Sequence, residues 1–504
     1  FQNVQNDRYD RDDHIQIPQS SHRRPLPRPS PNNHLPHLNR PPRPNPQKHH
    51  NNQPKRNNRS NSKKPPNNSP QLPKLPSPLH SIPIILKDNY TTPTLRTTAG
   101  VKALTITTNT QSTILTRLKA AGAIIIGKAN LHEFALQGIT LSSVLGQTLN
   151  PYDTSRTPGG SSGGTAAAIA ARFALAGCGT DTVNSLRSPA SACGIVGFRP
   201  STSRIPTDGI VPVSLTQDTA GPMATCVSDT RILYRVMAGL PVSISQSSES
   251  APPPENSRRM KVGILESFFG TEGLEGAEAK TENEIVQSVI RNALESMAKD
   301  IELVSIPEAS HPDWSFKTLA SKGDTQAFEF KHCLDTFLQS DDVDSEYRSL
   351  ESIARSGLYS REAVTEVFSA SLEEPERYSV DSAEYLERLG YIDGVRGCVE
   401  RCFEEFGIDA FVYPHQRQFP VRIGGRRQDG RNGILAALTG RPAICIPAGR
   451  SPRSEAAPMG IPIGIEFMGK RWGEDDLLDL AERVERILQV KQVPDIRIFE
   501  KAEE

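Results

Sequence analysis

Long apolar runs are the first thing these 504 residues lack. None reaches the roughly 18 residues that a membrane-spanning helix needs, so no membrane span is expected. Net charge is missing too. The 58 Lys and Arg balance the 58 Asp and Glu, which argues against a dedicated nucleic-acid binder or a membrane-surface protein. Cysteine is scarce: seven residues scattered between Cys178 and Cys445. An odd, sparse count is no disulfide framework, and it points to a reducing compartment. The first residues open on Phe1 and hold no apolar core of a secretory signal, so a cytoplasmic location is expected. As a rough prior, this length suits two to four domains, or one large α/β enzyme with a tail.

The zero average conceals a division. Residues 1–80 contain no Ala, Gly, Cys, Glu or Met, yet hold 17 of the 41 prolines and 13 asparagines. They carry 14 Lys and Arg against four Asp, a net +10 that leaves −10 for the rest of the chain. So little apolar surface cannot offset the entropy of ordering, and the expectation is a disordered tail with polyproline-II character around Arg24–Pro46. Its basic pairs Lys55-Arg56 and Lys63-Lys64 fit nucleic acid or an importer, and its proline pairs fit SH3-like modules. A solvated tail without a specific partner is the simpler reading. A stretch read in a wrong frame would have the same composition.

From Ser81 onward the pattern is that of a folded enzyme. Apolar runs predict buried strands at Ile82–Lys87 and Ala123–Gly127. Further strands are expected at Lys261–Leu265, Glu302–Ile306, Asp409–Tyr413, Ala443–Ile446 and Ile463–Phe467. Helical spacing marks Gln111–Ala121, Gly163–Leu175, Lys280–Met297, Ser382–Phe406 and Glu474–Leu488. Strands alternating with helices predict an α/β layered fold. Pro241–Ser257 reads as a polar surface loop.

The chemistry concentrates in Arg156–Pro200. Gly159–Gly164 (GGSSGG) sets Ser161 and Ser162 among four glycines. A phosphate-binding loop would need Lys-Ser/Thr next, but Thr165-Ala166 stands there. A linker is the other reading, and the alanine-rich helix that follows at once disfavours it. Gly179–Ala190 then brings Ser185. A serine nucleophile needs a base. Seven of the 11 histidines lie in residues 1–80, and His132, His311, His332 and His415 belong to no triad motif. Lysine can serve instead if burial keeps it neutral. Lys87, at the inner end of an apolar strand, is the candidate. The alternative is a surface lysine that begins a turn.

Together these segments resemble the amidase signature family. The resemblance is carried by Ile82–Asn89 (IPIILKDN), Thr97–Gly100, Ala120–Ala135, Pro158–Gly164, Gly179–Ala190, Gly194–Asp229, Gly440–Gly449 and Gly460–Glu482, and covers about residues 79–490. It implies an α/β fold with a large mixed sheet covered by helices. It also implies a Ser–Ser–Lys triad: Lys87 as base, Ser161 after a cis peptide bond as relay, and Ser185 as nucleophile. Backbone N–H groups of Thr182, Val183, Asn184 and Ser185 would stabilise the oxyanion, with Ser162, Asp181 and Arg187 supporting. The chain departs from the pattern where Val183-Asn184 replace two glycines, and where the Pro/Asn-rich segment replaces N-terminal helices.

Two domains are therefore expected: the tail 1–78 and a catalytic domain 79–504. The expected activity is hydrolysis of a small-molecule amide through an acyl-enzyme, with no metal, cofactor or nucleic acid. The alternatives are a glutamine-hydrolysing amidotransferase of the A type, working as one component of a complex, or a degenerate scaffold. Cys398 and Cys402, one helical turn apart, read as core residues, as do Cys178 and Cys193. His132 reads as structural. Tyr413–Gln416 and Arg431–Gly433 are candidates for the pocket wall.

Overall fold

The computed structural model describes residues 77–242, 259–311 and 313–490. The expected tail, save Ser77 and Pro78, lies outside them, as does most of the expected loop at Pro241–Ser257. A ten-stranded mixed sheet organises the described chain. Its strands are β1 (Pro83–Lys87), β2 (Ile124–Ala129), β3 (Ala176–Asp181), β4 (Val196–Arg199) and β5 (Thr219–Ala224). They are followed by β6 (Lys261–Leu265), β7 (Glu302–Ile306), β8 (Ala410–Pro414), β9 (Ala443–Arg450) and β10 (Pro462–Gly469). The spatial order is β7-β6-β8-β10-β9-β4-β5-β3-β1-β2. Three parallel strands stand at each end, and antiparallel pairings fill the middle.

Side chains alternate between the two faces, as the two-residue period of a strand requires. Ile444 and Ile446 of β9 join one apolar cluster and Cys445 joins another. Likewise Ala410 and Val412 of β8 face one core, and Phe411 and Tyr413 the other. The first face is covered by the helices Thr113–Ala120, Val227–Ala238, Gly276–Met297 and Glu474–Leu488. Opposite them lie Gly163–Ala170 and Arg187–Cys193, the helices before and after the segment that holds Ser185. A third group, including Gln326–Gln339 and Glu366–Glu373, packs on the loops around Val101, Phe134 and Val211.

Small residues let these layers close. Any Cβ at Gly164 would stand 2.3 Å from the Asn130 carbonyl oxygen, and one at Gly177 would stand 2.6 Å from Thr165. The helix Gly163–Ala170 therefore lies directly against β1–β3. It ends earlier than its sequence pattern predicts, at Ala170 instead of Leu175, where Arg172 turns to φ 64°. A second correction concerns β2. Its isoleucines predict a buried strand, yet Ile124 and Ile126 are 51% and 46% exposed. Among the described residues the strand is the last of the sheet, with a partner strand along one side of it.

Parallel pairing sets the active end. β1 and β3 run side by side, with Ile84 opposite Ala176 and Leu86 opposite Cys178. Their carboxyl ends, Lys87 and Gly179–Asp181, thus emerge together. That edge of a sheet is where α/β folds place ligands.

Candidate active site

Lys87 is wholly buried. Its Nζ lies 2.7 Å from Ser161 Oγ and 2.8 Å from Thr180 Oγ1. Burial pushes the ammonium down from 10.5 to about 7, against the pull of Asp181 and Asp218. Among the described residues no carboxylate reaches it directly, so near neutral pH a large fraction is uncharged and able to accept a proton. Thr180 Oγ1 also accepts from Asn89 Nδ2 at 3.1 Å, which fixes the hydroxyl between the two donors.

Ser161 is buried and follows a cis peptide bond from Gly160. Its carbonyl accepts from the His132 N–H, and Ser162 N–H donates to the Ser185 carbonyl at 3.2 Å. Ser162 Oγ donates to Thr180 O. The glycine-rich loop is thereby bonded to both β3 and the Ser185 turn. Ser185, 8% exposed, lies in the turn joining β3 to the helix Arg187–Cys193. Among the described residues, the N–H groups of Val183, Asn184 and Ser185 have no acceptor in the protein. Such unspent donors suit a developing oxyanion.

Buried ions hold this turn. Asp181 accepts from Arg187, from Arg199 and from the Leu186 N–H. Burial alone would raise its carboxyl, but the two guanidiniums hold it well below the usual range. Arg187 also donates to the carbonyls of Val183 and Gly433 and to Glu466. Glu466 is shared with Tyr413 and His415. Thr182 Oγ1 donates to Asp218, whose other oxygen accepts from the Val213 and Ser214 N–H groups.

Lys87, Ser161, Ser162, Asp181, Thr182 and Arg187, all named from the sequence, meet here around the Ser185 turn. Thr180, Asn89, Arg199 and Glu466 carry no signal of their own in the sequence reading. Glu466 is nonetheless the only charge in the apolar run Ile461–Met468. Tyr413, His415 and Gln416 do not line the pocket, as the sequence suggested they would. The first two are buried against Glu466, and Gln416 accepts from Ser188. Asn184 offers more than its backbone, because its Oδ1 accepts from the Gly433 N–H at 3.1 Å. His132 is structural, as expected. Its Nε2 meets the Ala363 carbonyl, and burial drives it down to about 4, so it is neutral at pH 7. Cys398 and Cys402 both lie against the Ser310 carbonyl.

Beside Ser185 opens a cavity of about 570 Å³. Leu136, Val183, Phe316 and Ile434 give it apolar walls, and Asp324, Arg361 and Arg431 add charge.

The Amidase family model matches residues 58–478. The glutamyl-tRNA(Gln) amidotransferase A subunit of Koribacter versatilis is 33% identical over 433 residues, covering 81% of this chain and 85% of that protein. Its namesake in Methanococcoides burtonii is 31% identical over 428 residues, covering 81% and 85%. Among solved structures, the peptide amidase of Stenotrophomonas maltophilia superposes with a TM-score of 0.68 at 26% identity, covering 84% of this chain and 85% of that one. The glutamyl-tRNA(Gln) amidotransferase A subunit of Thermotoga maritima shares the fold, with a TM-score of 0.58 at 24% identity over 80% of this chain and 82% of that one. A match over most of its length, with the Lys, Ser and Ser of the motifs brought to one end of the sheet, makes this chain a member of the amidase signature family, enzymes that act on carbon–nitrogen bonds.

Proposed function

We propose that the chain hydrolyses a small-molecule amide through an acyl-enzyme on Ser185, with Lys87 as base and Ser161 as relay. The observation that carries this is the buried Lys87, held near neutrality and 2.7 Å from Ser161 Oγ. Lys87 Nζ takes the Ser161 proton while Ser161 takes that of Ser185. Ser185 Oγ bonds to the amide carbonyl carbon, and the oxygen gains the negative charge. The N–H groups of Val183, Asn184 and Ser185 receive that charge. Collapse breaks the C–N bond, and the amine leaves with the proton returned through Ser161. Water then attacks the ester by the same relay, giving acid and free Ser185. Residues 79–504 act in this reading as the catalytic domain.

The test is covalent. A fluorophosphonate probe should label Ser185, and Ser185→Ala should abolish both labelling and turnover over a panel of aliphatic, aryl and fatty amides. Labelling that survives the substitution overturns the assignment.

A second reading has its own support in the names of the relatives: one component of an amidotransferase, which hydrolyses glutamine for a partner. Hydrolysis of glutamine only in the presence of a copurifying protein would favour it. The free-standing hydrolase comes first because every group in the mechanism above belongs to this one chain.

A further inference from the structure

The helix Gln326–Gln339 carries an apolar stripe. Phe330, Leu334 and Leu338, spaced one helical turn apart, share a core with Val211 and Val213. That packing brings the first turn of the helix to the loop Ser214–Gln217. Glu329 stands in this turn, fully buried. A carboxylate taken out of water is costly unless its oxygens are bonded. Here Tyr385 Oη donates to Oε1 at 2.8 Å, Ser214 Oγ donates to Oε2, and the Thr216 N–H reaches the same oxygen at 3.4 Å.

The loop passes the tie on. Ser214 N–H donates to Asp218 Oδ2 at 3.0 Å, and Asp218 Oδ1 accepts from Thr182 Oγ1 at 2.6 Å. A second path runs beside it. The N–H of Thr325, at the cap of the same helix, donates to Gln217 Oε1 at 2.9 Å, and Gln217 Nε2 reaches the Thr182 carbonyl at 3.4 Å. Thr182 is thus held by its hydroxyl and its carbonyl, both from a loop that Glu329 and Thr325 hold in turn. Next in the chain stand Val183, Asn184 and Ser185, the residues whose N–H groups face no acceptor of the protein. Gln326, one turn before Glu329, lines the cavity beside Ser185. One helix therefore borders the cavity and reaches, through the bonds of Ser214 and Asp218, the residue that precedes these donors.

Resting on the hydrolase reading above, we propose that Glu329 is a positioning residue, which acts through Ser214 and Asp218 on Thr182 and so sets the oxyanion donors that follow it. The effect belongs to the transition state. Donors shifted by a fraction of an ångström still admit substrate to the cavity, but they meet the developing charge badly. Loss of the tie therefore lowers kcat and kcat/KM together and leaves KM in place.

The experiment is a double-mutant cycle on the full chain, with the amide of the panel that it turns over fastest. Glu329→Ala should lower kcat by about tenfold or more with KM little changed. Thr182→Val keeps the backbone and breaks the bond to Asp218, and it should cost a similar factor. The double variant should be no slower than the slower single one, because both changes cut one path. Glu329→Gln keeps an oxygen for Ser214 and can donate its amide to Tyr385 Oη, so it should recover most of the kcat. Losses that multiply, a change confined to KM, or a Gln variant as slow as the Ala one overturns the proposal. If Glu329→Ala does not fold, Ser214→Ala cuts the same path one bond later, and its loss should vanish in the Thr182→Val background. Thermal unfolding of the same chains separates this proposal from the hydrolase reading. A parent chain that turns over no amide and takes no fluorophosphonate on Ser185 sinks that reading. Tm shifts of Glu329→Ala and Thr182→Val that fail to add would then leave the tie standing, and additive shifts would remove it as well. Turnover with independent losses in kcat sinks the tie alone.

Discussion

In the proposed mechanism Lys87 is the group whose charge state decides whether the relay can start. In the unfolded chain a lysine holds its proton up to 10.5, and in the fold up to about 7. Above about pH 7 the base is neutral and competent. Below it, kcat/KM should fall about tenfold per unit, as for an essential base. A profile flat from acid to alkaline pH contradicts a titrating lysine. The same shift makes a stability statement. Between about pH 7 and 10.5 the unfolded chain binds the extra proton, so the contribution of this group to stability rises with pH across that window. Lys87→Met removes the penalty, and its Tm advantage over the parent chain should shrink as pH rises from about 7 to about 10. Asn184 is a second test at this scale. Asn184→Gly removes the bond to the Gly433 N–H and leaves that donor buried, a loss of about 1–3 kcal/mol. The backbone donors survive, so catalysis should weaken measurably but persist. Unchanged Tm and kcat/KM would show that this tie contributes nothing.

At the scale of elements, legibility followed the side chains. β6 and β7 lie where their apolar runs predict them, at Lys261–Leu265 and Glu302–Ile306, and β1 is correct to one residue. Branched aliphatics mark a strand because they fit a pleated, half-buried surface. β3 escaped notice. Its sequence, AGCGTD, lacks such residues, since Gly177 must admit a helix and Gly179 must clear Ser162 and Leu186. β3 nonetheless carries Thr180 and Asp181 to the site, so the strand closest to the chemistry was the hardest to read. Lys87, Ser161 and Ser185 stand out in the sequence only because whole motifs surround them. A lysine ending a strand and two serines 24 residues apart identify nothing by spacing alone. The helices between Phe316 and Glu373, which bear Phe316 and border Arg361 on the cavity, were missed as well. Three of the four have only seven or eight residues, and apolar groups of this set face loops distant in sequence, such as those at Val101 and Phe134. Local periodicity carries no record of such partners.

At the scale of the whole molecule, the open question is where the catalytic unit begins. The described fold starts at Ser77, and Leu79 is already core: 5% exposed, with its N–H bonded to the Ala121 carbonyl. The family match begins earlier, at residue 58. Two truncations separate these boundaries. If the unit begins near residue 79, chains starting at residue 58 and at residue 77 should share the Tm and the amidase activity of the full chain. If residues 58–76 belong to the unit, only the shorter chain should lose stability. The exposed Ile124 and Ile126 on the edge strand would then be the expected source of aggregation, since Ser77 lies beside Gly122 at the start of that strand. Charge provides an independent reading of the same experiment. Residues 1–80 carry +10 and the remainder −10. Removing residues 1–76 should therefore shift the isoelectric point sharply downward, and it should abolish any salt-sensitive retention on an anionic resin. Loss of that retention with Tm and kcat/KM intact is the expected result. A lower Tm for the chain starting at residue 77 alone would move the domain boundary back towards residue 58.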